Sequence, residues 1–291
     1  MNYELCINDN VKDFIKKHLN DDVNKLALSK FPEDIDKHFV VRQIHARQVL
    51  SKKLPSWAEN DELIFPKKLS LEQCSSELTA KYKTSLSTKS HEITRKGFSE
   101  DSCDLVDKKR ILVDLTGGMG VDTSFLSDNF DKTYYVDMQE ELCEIAKHNF
   151  KILDKNIEVV NDNAEHFLTT CDEVDCIYLD PARRDEYGRK MVSLHDCSPD
   201  VVELHDILLK KAKKVLVKVS PMLDIEMIKK ELTDITDIHV VAVRNECKEI
   251  LLEIQKFRNS KTQQLSNSTT QNLSNRFARE LELLFHRRRG T

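Results

Sequence analysis

A chain of 291 residues, 40% hydrophobic and 33% charged, has enough apolar material for a sizeable core and more than one structural unit. Its formal charge of −5 excludes a globally basic nucleic-acid binder, so any nucleic-acid contact must use a local patch. No run approaches the ~18 consecutive apolar residues of a membrane helix. The start, "MNYELCINDNVKDF", has no basic stretch leading into an apolar one, and the eight cysteines form neither CxxC pairs nor zinc-finger spacings. These features read as a cytoplasmic protein with reduced thiols, no membrane segment and no metal.

Residues 1–95 read as a helical sub-domain. "DIDKHFVVRQIHARQVLSKKL" carries Phe39, Val40, Ile44 and Leu50 among polar residues, and Pro55 follows as a stop. A second helix is expected to open at Ser70, which forms a capping box with Gln73. Its face is Leu71, Cys74, Leu78, Tyr82 and Leu86. Arg42, His45, Arg47, Lys52 and Lys53 make a basic run that could face RNA or simply be solvated, and Trp57 is expected as a packing anchor.

From residue 96 to 257 the pattern becomes α/β. "ILVDL" (111–115), "TYYVD" (133–137), "IEVV" (157–160), "DCIYLD" (175–180) and "KVLVKVS" (214–220) alternate with amphipathic stretches, which implies a parallel sheet covered by helices. "IHVVAV" (238–243) and "EILLEI" (249–254) are too close for a parallel crossover, so they form an antiparallel hairpin. The expectation is a Rossmann-like seven-stranded sheet, five parallel strands plus a C-terminal hairpin. Residues 258–291 read as a polar linker with a short basic tail.

In such sheets, ligands bind beyond the carboxyl ends of the strands. The first strand ends Asp114-Leu115-Thr116-Gly117-Gly118-Met119-Gly120, which packs half of the six glycines into four residues. A dinucleotide turn, G-x-G-x-x-G, needs a third glycine where Thr123 stands. The alternative, D-x-x-x-G-x-G, resembles the first motif of class I S-adenosylmethionine methyltransferases, and Asp114 at the acid position favours it. Asp137, twenty-three residues after Asp114, can accept both ribose hydroxyls, and Asp162 or Asn163 can meet an adenine amino group or simply start a helix.

The fourth strand ends Asp180-Pro181-Ala182-Arg183-Arg184. Amino-group methyltransferases carry Asp/Asn-Pro-Pro-aromatic at this point; here Ala182 and Arg183 depart from it, and a guanidinium can stack on a base or grip a phosphate instead. Over residues 111–257 the chain thus resembles a class I methyltransferase. More narrowly, "DLTGGMGVDTSFLS", "DCSPDV", "KVSPMLDI" and "NECKE", with "KLPSWAEN" and "LEQCSSELTAKYK" before them, resemble a bacterial group with ferredoxin-like and THUMP-like C-terminal modules. A polar linker and basic tail stand here in their place. The glycine turn also resembles that of trimethylguanosine synthases.

The resemblance implies S-adenosylmethionine held by Asp114, Thr116, Gly117, Gly118, Gly120, Asp137, Asp162 and Asn163. Asp180, Pro181 and Arg183 would act at the methyl acceptor, with Arg184, Tyr187, Lys218 and Ser220 contacting substrate. The expected activity is methylation of an exocyclic amine of a tRNA or rRNA base. A protein or small-molecule methyltransferase, or a non-catalytic binding module, remains as an alternative.

Overall fold

Seven strands pair into one sheet: β1 (Ile111–Asp114), β2 (Lys132–Asp137), β3 (Ile157–Asn161), β4 (Val174–Leu179), β5 (Ala212–Val219), β6 (Ile235–Val243) and β7 (Glu246–Ile254). The computed structural model describes residues 7–95, 109–183 and 193–256. Strand order is β3-β2-β1-β4-β5-β7-β6. Strands β1 to β5 are mutually parallel, and β7 runs antiparallel to both β5 and β6, as the sequence pattern requires. The hairpin is tighter than the apolar runs suggested: Arg244 and Asn245 alone turn the chain, with φ of 56° and 64°, the left-handed values of a two-residue hairpin turn. The order in which strands are laid across the sheet reverses between the parallel neighbours β1 and β4, and this opens a crevice beyond their carboxyl ends.

Before the sheet come α1 (Asp9–His18), α2 (Val23–Leu28), α3 (Lys37–Leu50), α4 (Pro55–Ala58), α5 (Lys68–Gln73) and α6 (Glu77–Arg95). After it begins come α7 (Val121–Leu126), α8 (Glu140–Ile152), α9 (Ala164–Thr170), α10 (Val201–Lys211) and α11 (Ile225–Glu231). The helix expected to open at Ser70 is in fact two. Ser70 lies inside α5, which stops at Gln73, and the Ser76 hydroxyl caps α6 by accepting from the Thr79 amide. Tertiary contacts override the periodicity here: Leu78 points to solvent, while Thr79, Ala80, Lys83 and Leu86 form the buried face.

Apolar burial joins the early helices to the sheet. Trp57, Leu50, Leu54 and Phe65 share a buried cluster with Met119 and Val121 from the glycine turn and α7, so Trp57 is a packing anchor. The segment Leu63–Ile64–Phe65 is wholly buried without belonging to a strand. Two side-chain amides satisfy its backbone: Gln43 brackets Phe65, and Asn149 of α8 brackets Ile64.

Charge burial makes the same join. Lys83 of α6 has no exposed surface; its Nζ lies 2.7 Å from Glu249 of β7, 3.2 Å from Asp122 of α7 and 2.9 Å from the Ser75 hydroxyl. Removing one partner of a buried pair leaves the others uncompensated, at about 3–5 kcal/mol. Lys83→Met should therefore lower the unfolding free energy by about that amount in urea titrations, whereas Lys81→Met, on the exposed Lys81–Glu77 pair, should change it by less than about 1 kcal/mol.

Candidate active site

The crevice at the reversal point is a cleft of about 240 Å³. Its wall gathers Asp114, Thr116, Gly117, Gly118, Gly120, Asp137, Asp162, Asn163 and Asp180, nine of the residues expected to form the site.

The glycine turn is shaped by close contact with β2. A Cβ on Gly117 would lie 2.2 Å from the Tyr135 ring, so no other residue fits there. The Gly117 amide donates to the Val136 carbonyl, the Tyr135 hydroxyl donates to the Gly118 carbonyl, and Gly118 and Gly120 take φ of 54° and 81°. Asp137 ends β2 beneath this turn. Its two oxygens accept from the Gly118 and Gln139 amides at 2.8 Å each, and burial pushes its pKa up. Each oxygen keeps a further lone pair for a hydroxyl donor.

Asp114 is 1% exposed and accepts from the Thr116 amide at 3.0 Å and the Thr123 hydroxyl at 2.5 Å. Thr123 thus occupies the third-glycine position of a dinucleotide turn with a strand–helix hydrogen bond of its own. Burial pushes the Asp114 carboxyl up to about 7, against the pull of those donors. The Thr116 hydroxyl also accepts from the Asp180 amide at 2.6 Å, tying the ends of β1 and β4 together.

Asp180 presents its Oδ2 to Lys218 Nζ at 2.5 Å. Lys218 is not part of the cleft wall, nor are Pro181 and Ser220. Ser220 caps its own turn by accepting from the Met222 amide. Asn163 caps α9 by accepting from the His166 amide, and Asp162 pairs with the His166 ring, which holds its carboxyl below the usual range. The backbone of Arg183 forms a two-residue ladder with Cys197, bringing Ser198 and Pro199 to the cleft beside Ala182. Arg184 and Tyr187 lie outside the described residues.

Of the basic run on and after α3, Lys52 is exposed, but Arg42, Arg47 and Lys53 are engaged with the protein's own groups. Arg47 is 3% exposed and donates to the carbonyls of Asn60, Asp61 and Leu63; Arg42 pairs with Glu141, and Lys53 donates to the carbonyls of Leu71 and Glu72. Helix C-terminal and loop carbonyls need donors, and these cations supply them.

Several wall residues escaped the sequence reading: Ser70, Gln73, Cys74 and Ser75 from the α5–α6 junction, and Asp122 and Tyr178 from α7 and β4. The Tyr178 and Ser75 hydroxyls both donate to Asp122 Oδ2 at 2.7 Å. Burial alone would raise the Asp122 carboxyl, but Lys83, Lys218 and these hydroxyls outweigh it and hold it low. Glu249, with fewer donors, is raised by burial. A lone lysine on the buried face of α6 and a lone acid opening an apolar strand were the available signals.

Among the described residues the wall carries six carboxylates (Asp114, Asp122, Asp137, Asp162, Glu165, Asp180) and no Lys, Arg or His. Such a lining suits a guest with positive charge and hydroxyl donors, and opposes a pyrophosphate. The described residues contain no metal-ligating cluster and no helix long and apolar enough to cross a membrane.

No protein-family profile matches this sequence, and no curated protein matches it. Among solved structures, a protein from Porphyromonas gingivalis W83 assigned as a methyltransferase superposes with a TM-score of 0.70 at 28% identity, over 89% of this chain. The present chain spans 59% of that protein's length. A Pyrococcus horikoshii protein assigned as an RNA methyltransferase gives a TM-score of 0.46 at 14% identity, covering 76% of this chain and 98% of its own. M. capricolum TrmK, solved with S-adenosylhomocysteine, gives 0.40 at 12%, covering 62% and 82%. At such scores the last two carry no argument.

The raised Asp114 carboxyl has a consequence for stability. Native Asp114 keeps its proton up to about pH 7, while the ordinary value is 3.8, so the native state binds more protons between the two. This group therefore makes stability fall as pH rises from 3.8 to about 7, with no further effect above. Urea unfolding of Asp114→Asn across that range should show the variant gaining on the wild type as pH rises, by on the order of 4 kcal/mol at most.

Proposed function

We propose that this chain is an S-adenosylmethionine-dependent methyltransferase acting on an exocyclic amine of an RNA base, in tRNA or rRNA. The observation that carries the reading is the acidic wall, free of cations among the described residues, that joins the glycine turn to Asp180 in one cleft. The superposition on the P. gingivalis protein supports the methyltransferase part.

The residues present fit the cofactor. The space a Cβ would fill at Gly117 and Gly120 is taken by Tyr135 and Phe150, which fixes a turn open to close backbone approach. Asp137, with a lone pair free on each oxygen, would take the ribose hydroxyls, and Asp162 and the Asn163 amide end would face the adenine. Asp114 and Thr116 would lie beside the amino-acid portion. When bound, the cofactor supplies an electrophilic methyl carbon on a sulfonium.

The protein's own part is orientation, which alone is worth roughly 7–11 kcal/mol. Asp180 Oδ2 is taken by Lys218, so the other oxygen would accept a hydrogen bond from the acceptor's N–H and aim the nitrogen lone pair into the cleft. The hydrogen lost after methylation then leaves by way of that carboxylate to water. Pro181 turns the chain outward, and Arg183, Arg184 and Tyr187 would meet the base and its phosphates.

The same acidic wall favours a second reading, a protein or small-molecule amine as acceptor. Incubation with methyl-tritiated cofactor and total RNA from cells lacking the protein separates the two. The expected result is label in RNA that nuclease releases and that nucleoside mass spectrometry places on a base amine. Asp180→Ala should abolish transfer while calorimetry shows the cofactor still bound. Label that survives nuclease would contradict the RNA reading.

A further inference from the structure

We propose that Lys218 is a positioning residue for the acceptor end of the cleft. It fixes one oxygen of the Asp180 carboxylate and leaves the other free, and the buried Lys83–Asp122–Glu249 cluster holds Lys218. The inference rests on the methyltransferase reading above.

Three observations support it. Asp180 belongs to the cleft wall and Lys218 does not, so the lysine acts through the carboxylate rather than on a guest. The Lys218 side chain is 13% exposed against 34% for Asp180, so the pair is screened on the lysine side and open on the carboxylate side. Acids also surround the lysine: Asp180 beyond β4, Asp122 on α7 and Glu249 on β7 keep its ammonium charged, against the effect of burial.

Among the described residues, the remaining titratable groups of this neighbourhood are Asp114 at the end of β1, Tyr178 on β4, Cys74 between α5 and α6, and Lys83 on α6. Among the described residues, four carboxylates thus surround two lysines, and Lys218 is the one whose ammonium touches the carboxylate facing the cleft. Without it both oxygens of Asp180 lose a fixed orientation, and neither is held toward an acceptor.

This arrangement also sets specificity. An ionised carboxylate accepts from N–H but cannot donate, so the site selects an acceptor nitrogen that carries hydrogen and rejects a carbonyl or an unprotonated ring nitrogen. Helix α6, far upstream in sequence, becomes part of the electrostatic frame of this choice.

The test uses the full chain as K218M, K218R, D180N and the double variant D180N/K218M. Carbon-13 spectra of aspartate carboxyls need neither cofactor nor acceptor, and the D180N spectrum assigns the Asp180 signal. At fixed pH, K218M should move the Asp180 signal and K218R should leave it near the wild-type position. In methyl transfer, K218M should lose roughly 10²-fold in kcat with cofactor affinity unchanged, and K218R should restore most of the loss. The double variant should be no slower than D180N alone.

An Asp180 signal unmoved in K218M overturns the proposal. So does a K218M defect as large in the D180N background as alone. If K218M does not fold, K218Q takes its place with the same expected signal and rate. If the wild type transfers methyl to no acceptor, the methyltransferase reading falls, and the Asp180 signal by itself decides whether Lys218 positions Asp180.

Discussion

A lysine ammonium with no contact to water has to be neutralised where it lies, and Lys83 imposes that requirement on the whole structure. Its partners come from α7 and from β7, so a helix that precedes the sheet is fastened to both the glycine-turn side and the hairpin side. The extended segment 63–65, bracketed by Gln43 and Asn149, repeats the tactic with amides instead of charges. In both places a polar group inside the protein has few acceptable partners, and that scarcity fixes register more narrowly than apolar packing does.

The carboxylates that neutralise Lys83 stand next to those that line the cleft. Asp122 belongs to both sets: one oxygen takes the Ser75 and Tyr178 hydroxyls, the other faces Lys83. Moving from α6 toward solvent, the network passes from paired charges to an acid-rich wall. The inner part is satisfied by the protein, Asp114 is buried with its own donors, and the carboxylates of the wall suit a cationic guest. Thr123 contributes by bonding Asp114, which closes the strand–helix contact that a third glycine provides in dinucleotide turns.

Much of this was legible in the chain. The alternation after residue 110 specified the parallel strands, and the spacing of the last two runs required the hairpin. The acids and glycines that end β1, β2 and β4 do converge on one cleft, because strand ends are where polar residues must appear once the strand interiors are buried. What periodicity concealed was the break at residues 74–76: Leu78 fits a helical stripe yet faces water, since the chain turns to bring Ser75 to Asp122. The basic run on α3 misled for a related reason. Charge in a sequence does not say whether a guanidinium meets solvent or, like Arg47, donates to three backbone carbonyls. Lys218 was placed at a strand end without its direction, which depends on the neighbouring acids of three other elements.

The acidic cleft is proposed to hold a sulfonium cofactor with its adenosine toward Asp137 and its reacting end toward Asp180. A crystal structure of the full chain soaked with S-adenosylhomocysteine tests this most directly. Density is expected with the ribose hydroxyls on Asp137, the adenine beside Asp162 and Asn163, and the sulfur on the Asp180 side of the glycine turn. Density elsewhere, or an inverted pose with the adenine against Asp180, would contradict it.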